Sequence, residues 1–88
     1  MITTEQVNEI MSKIDTMGVA ETTVSALRPH YQPIHFTYCM DDDLPNNTPI
    51  IEHKDFNLYL IDGREHCLCL TNDYDVATGI VVAEIIAD

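Results

Sequence analysis

Two apolar runs, FNLYLI at 56–61 and HCLCLT at 66–71, flank Asp62-Gly63-Arg64-Glu65, and this pair constrains the fold more than any other segment. Asp-Gly between apolar runs is a strong hairpin signal, because both residues tolerate the positive φ of a tight turn. Register then decides the faces, since a slip of one residue turns every side chain over. A two-residue turn sets Phe56, Leu58 and Leu60 on one face with Cys67 and Cys69. A three-residue turn with a bulge sets them with His66, Leu68 and Leu70, and is preferred because it gathers the larger side chains. Asn57, Tyr59, Ile61, Cys67 and Cys69 then share the opposite face, which is too apolar for ordinary solvent-exposed surface.

What precedes the hairpin is helical, then extended. Val7, Ile10, Met11 and Ile14 fall on one face at helical spacing, and Thr3 with Gln6 forms a capping box. Gly18 is the natural stop, so the spacing predicts a helix over 4–17. A shorter helix is expected over 20–28, ended by Pro29. Ile34, Phe36, Tyr38 and Met40 then alternate with His35, Thr37 and Cys39, the period of a half-buried strand. The stretch Asp41 to Asp55 shows neither period and is expected to be a long loop. Near the end, Asp73 can cap one helical turn ended by Gly79, and the β-branched run Ile80 to Ile86 suits a further strand. A single helix from Asp73 onward is the rival. The expected fold is therefore α+β, one domain over 1–88, with two N-terminal helices packed on a three- or four-stranded antiparallel sheet.

Charge narrows the partners. Lys plus Arg is 4 and Asp plus Glu is 15, a formal net charge of 4 − 15 = −11. So few cations argue against direct binding to nucleic-acid phosphates or an anionic membrane. No apolar run reaches the roughly 18 residues of a membrane helix, and no leader opens the chain, so a cytoplasmic setting is expected. The three cysteines, Cys39, Cys67 and Cys69, are an odd set for a disulfide framework and fit a reducing compartment.

Several constellations invite chemistry. Cys39, His66, Cys67 and Cys69 supply thiolate and imidazole for zinc or iron, but there is no C-x-x-C pair, and His66 and Cys67 alternate across a strand. Asp41, Asp43 and Glu52 match three positions of a calcium loop, yet Pro45 takes a ligand position and Asn46 replaces the turn glycine. Cys39 with His35 could be a nucleophile and its base, but four residues along a strand span about 13 Å. No cofactor and no enzymatic activity are expected.

The block FNLYLIDGREHCLCLTNDYDVATGIVVAEI at 56–85, with HFTYCMDDD at 35–43, resembles a small bacterial family of uncharacterised proteins. The resemblance covers nearly the whole chain, and DGREHCLCLT is its most specific stretch. Similar sequences often carry proline at the position of Tyr74, where a helical turn would open. The family is known only as a domain of unknown function, and its members are often encoded among nitrogen-fixation genes. It supplies no catalytic residue or cofactor to carry over. It implies a setting, the cytoplasm of a diazotroph, in the company of nitrogenase or its assembly machinery.

The functional expectation is a non-enzymatic accessory or adaptor protein that binds a larger protein. Asp41, Asp42 and Asp43 are the expected docking residues, since three adjacent carboxylates repel one another and give a purely structural loop nothing. Pro45 and Pro49 restrict the loop, and Asn46 and Asn47 offer turn geometry. Tyr59 and Ile61 are expected on an apolar face that a homodimer would hide. Metal or metallocluster handling through the Cys/His set is the alternative, and an acidic mimic of nucleic acid is a third reading.

Overall fold

The computed structural model describes residues 2–44, 48–63 and 69–86. Helix α1 (Thr4–Met17) carries the capping box, with the Thr3 hydroxyl accepting from the Gln6 N–H and the Gln6 side chain accepting from the Thr3 N–H. It ends at Gly18, whose φ of 91° is open to glycine and costly for other residues. Helix α2 (Glu21–Leu27) runs into a short 3-10 turn at Arg28–His30. Among the described residues five strands follow: β1 (His35–Met40), β2 (Ile51–Glu52), β3 (Phe56–Asp62), β4 (Cys69–Thr71) and β5 (Gly79–Glu84). The fold is α+β, as the periodicities imply. No helix among the described residues is long and apolar enough to cross a membrane.

The sheet is mixed rather than antiparallel, and it has five strands in the order β1-β5-β3-β2, with β4 also on β3. β5 lies between β1 and β3, parallel to the first and antiparallel to the second. The burial pattern explains the order. Gly79 to Ala83 are all buried, and Phe56 and Leu58 to Ile61 are buried on β3, so these two runs are apolar on both faces and must lie inside the sheet. On β1, His35 and Thr37 are exposed, which suits an edge. β2 and β4 share the other edge of β3, pairing with Asn57–Leu58 and with Leu60–Asp62 respectively.

Two expectations about this region are corrected. The Asp41 to Asp55 stretch is not a bare loop: it contains a 3-10 turn at Asp41–Asp43 and the two-residue strand β2. In the hairpin, Leu60 pairs with Thr71, Ile61 with Leu70 and Asp62 with Cys69. The preferred three-residue-turn register therefore has the wrong parity. Leu70 lies on the face of Tyr59 and Ile61, and Cys69 on the face of Leu58 and Leu60, the parity of the shorter turn. Two apolar faces were available to Leu70, so its size alone did not select one. Arg64, Glu65, His66, Cys67 and Leu68 lie outside the described residues, as do Pro45, Asn46 and Asn47.

The main core joins Val7, Ile10 and Ile14 of α1 and Val24 and Leu27 of α2 with Phe36, Phe56, Leu58, Leu60, Ile80 and Val82 of the sheet. These are the even-numbered strand positions, so one whole sheet face is committed to this core. A second, smaller cluster of Tyr59, Ile61, Val81 and Ala83 occupies the other face, with Cys39, Leu44 and Leu70 against it.

Candidate functional site

The chain leaves β1 at Met40 and turns at once through Asp41–Asp43, with the Leu44 N–H donating to the Asp41 carbonyl at 3.2 Å. The Asp41 carboxylate points back over the sheet. One of its oxygens accepts from the Tyr59 hydroxyl and from the Asn57 amide, each at 3.0 Å. Leu44 packs on the second cluster beside them. The three consecutive aspartates thus divide: Asp41 anchors the turn, whereas Asp42 and Asp43 remain exposed. Burial and the neighbouring Asp41 carboxylate push the Tyr59 phenol above its ordinary range.

This turn changes the reading of the second face. It is apolar, as the alternation implies, but it is not open: Tyr59 is 5% exposed and Ile61 6% exposed within a single chain. A homodimer is not required to hide these two side chains. Tyr59 donates to the acidic turn, and Ile61 is buried with Val81 and Ala83 in the second cluster.

The same end of the sheet collects further carboxylates. Glu84 is aligned with Met40 on β1 and with Phe56 on β3. The Asp55 carbonyl accepts from the Ile85 N–H at 2.9 Å, and Glu52 is opposite Asn57. The Tyr38 hydroxyl donates to the Glu84 carboxylate, and this bond first, then burial and the nearby Glu84 and Glu21 charges, push its pKa from 10.0 up to about 12. The phenol is neutral in the folded state, so the stabilisation is complete below the unfolded value of 10.0 and is lost as pH rises toward about 12. The stability difference between the wild type and Tyr38→Phe should therefore be constant up to the first value and shrink above it. Denaturant titrations across that range check this, and a difference that grows with pH would contradict it.

The remaining sequence candidates do not converge. Cys39 faces the second cluster, whereas the β3–β4 register sets Cys69 on the opposite sheet face. The other two members of the proposed ligand set, His66 and Cys67, lie outside the described residues. Among the described residues no three His, Cys, Asp or Glu side chains gather as a metal-holding group. His35 and Cys39 occupy one strand four residues apart, too far for proton transfer. Burial, with Asp43 and Asp41 nearby, pushes the Cys39 thiol up, the reverse of what activates a nucleophile.

One polar contact had no counterpart in the sequence reading. His53 Nε2 meets the Asp15 carboxylate at 2.8 Å, while its Nδ1 accepts the Asp55 N–H at 3.1 Å and its ring stacks on Phe56 with centroids 4.3 Å apart. An Nδ1 that accepts leaves the Nε2 to donate, so the neutral tautomer satisfies both bonds. The pair ties α1 to the β2–β3 turn and is structural. Only the 38-residue separation of Asp15 and His53 hid it.

No curated protein and no solved structure matches the chain. The family model that matches, over residues 9–85, spans both helices and all five strands except the first turn of α1. The chain therefore belongs to the DUF6129 family, a family of unknown function.

Proposed function

We propose that this chain is a non-enzymatic accessory protein that docks a larger, basic partner protein through the acidic end of its sheet. The observation that carries the reading is the double hydrogen bond to Asp41, which holds the turn down and presents Asp42 and Asp43 to solvent. A turn already fixed in one conformation loses little entropy when it docks. Charges on a rim steer encounter more than they add affinity, so clustered Lys or Arg on the partner would find this end quickly at low salt. The likeness to proteins encoded among nitrogen-fixation genes makes nitrogenase and its assembly machinery the first partners to test. The metal-handling alternative is not preferred, because Cys39 and Cys69 lie on opposite faces.

The test starts with affinity capture from a culture grown under nitrogen-fixing conditions, using the wild type and the double variant Asp42→Asn/Asp43→Asn. Association rates of the captured partner are then measured at low and high salt. The wild-type rate should fall severalfold as salt rises, and the variant should be slower at low salt with a flatter dependence. Equal rates and equal salt slopes would show the turn to be solvated connection only.

A further inference from the structure

β1 is an edge of the sheet, and among the described residues no strand pairs with its outer side. In the parallel ladder with β5, the His35 N–H donates to the Thr78 carbonyl at 3.1 Å, so His35, Thr37 and Cys39 turn both backbone groups toward β5. Phe36, Tyr38 and Met40 therefore direct theirs outward. Arg28 confirms the direction: its Nη2 donates to the Phe36 carbonyl at 3.2 Å while its Nη1 donates to the Ser25 hydroxyl, also at 3.2 Å. Among the described residues, no other side chain bonds the backbone of this edge.

The edge is also polarised. Arg28 stands at its N-terminal end beside His35, and the chain has only 4 Lys and Arg to place anywhere. The exposed Asp42 and Asp43 stand at its C-terminal end, and Glu21 at the start of α2 is among the charges acting on Tyr38. At the cationic end a cavity of about 430 Å³ opens between Arg28, Gln32, Pro33, Ile34, His35 and Phe36.

We propose that the β1 edge binds the carboxyl-terminal segment of a partner protein as an added antiparallel strand. The terminal carboxylate sits on Arg28 and the Phe36 N–H, the last apolar side chain enters the cavity, and basic residues upstream face Asp42 and Asp43. An antiparallel peptide is the one orientation that brings its carboxylate to the cation and its upstream residues to the aspartates. Arg28 does not block the edge. It covers only the Phe36 carbonyl, which would otherwise repel the carboxylate, and its guanidinium keeps further N–H groups for the ligand. Main-chain bonds to Tyr38 and Met40 give such a strand affinity, and the cavity and end charges give it selectivity. The inference rests on the binding-module reading for its upstream charge preference, and adds to it a site with its own chemistry.

The probe is the peptide Lys-Lys-Val-Thr-Val-Thr-Val, prepared with a free carboxylate and as the amide. Binding is followed by fluorescence anisotropy, with amide hydrogen exchange on the wild-type complex. The free acid should bind about tenfold tighter than the amide, the increment of a charge-assisted hydrogen bond. Arg28→Gln, at an exposed position, should abolish that preference. Exchange should slow at Tyr38 and Met40. Asp42→Asn/Asp43→Asn should weaken acid and amide alike. Three results overturn the site: no binding at about millimolar peptide, equal binding of acid and amide, or a bound peptide that leaves Tyr38 and Met40 exchanging freely. If equal binding came with a loss on Asp42→Asn/Asp43→Asn, this site would fall and the acidic-end reading would stand. Concentration-dependent protection of Tyr38 and Met40 without peptide would assign the edge to a second copy of the chain and overturn the proposal.

Discussion

Gly79→Val is expected to destabilise the chain by about 3 kcal/mol, the upper range for forcing atoms into a closed space. A Cβ at Gly79 would meet the His35 carbonyl oxygen at 2.8 Å and the His35 Cβ at 3.2 Å. The first of these is backbone, so no rotamer change relieves it. β5 must then move away from β1 at the point where Gly79 is held between His35 and Ile61. Gly79→Ala should cost less, about 1–2 kcal/mol, because only the Cβ has to be accommodated. Gly18→Ala is the control. It meets nothing within 4 Å but keeps a φ of 91°, so its cost of about 1–2 kcal/mol is conformational alone. Urea midpoints for the three variants check the ranking. A Gly79→Val protein no less stable than Gly18→Ala would mean that β1 and β5 are not held as closely as described.

Asp41→Ala should cost about 2 kcal/mol, whereas Asp42→Asn and Asp43→Asn should each fall within about 0.5 kcal/mol of the wild type. The difference is burial. Removing the Asp41 carboxylate leaves the Tyr59 hydroxyl and the Asn57 amide without their acceptor beside a phenol that is 5% exposed. Removing a solvated charge leaves nothing unpaired. Asp41→Asn should be milder than Asp41→Ala, since an amide oxygen still accepts. The loss should also shrink in a Tyr59→Phe background, because one of the stranded groups is then gone. Equal effects at all three aspartates, measured by denaturant unfolding, would contradict the division of the run into one anchor and two presented charges.

That division marks where sequence reasoning stopped. α1 was legible to the residue because its signals are local: a capping box at Thr3 and Gln6, an apolar face, and Gly18 after the last turn. The strand at Phe56 was legible from its apolar run, whereas the β-branched run near Gly79 left a helix from Asp73 as a rival to the strand that forms. Strand order was not legible, because the pairing of His35 with Gly79 depends on which runs are apolar on both sides, and periodicity along one strand does not name its neighbours. β2 is two residues long, below any periodicity. In the run of aspartates, nothing local separates Asp41 from its neighbours. The available signal lay on the other strand, where Asn57 and Tyr59 carry polar ends on an otherwise apolar face and needed an acceptor above them.

The central place of β5 has a consequence for synthesis. Chain elongation delivers β1, β2, β3 and β4 first, and until Gly79–Glu84 emerge, β1 has no strand to pair with and β3 lacks its neighbour along its whole length. A nascent chain at that stage holds two helices, a short hairpin and the exposed apolar residues of β3. The sheet then closes in one late step that spans the sequence from His35 to Gly79, so the loop-closure entropy comes before any packing offsets it. Folding on the ribosome is thus deferred until Glu84 has emerged. A stall or truncation before residue 79 would release an aggregation-prone species rather than a smaller domain.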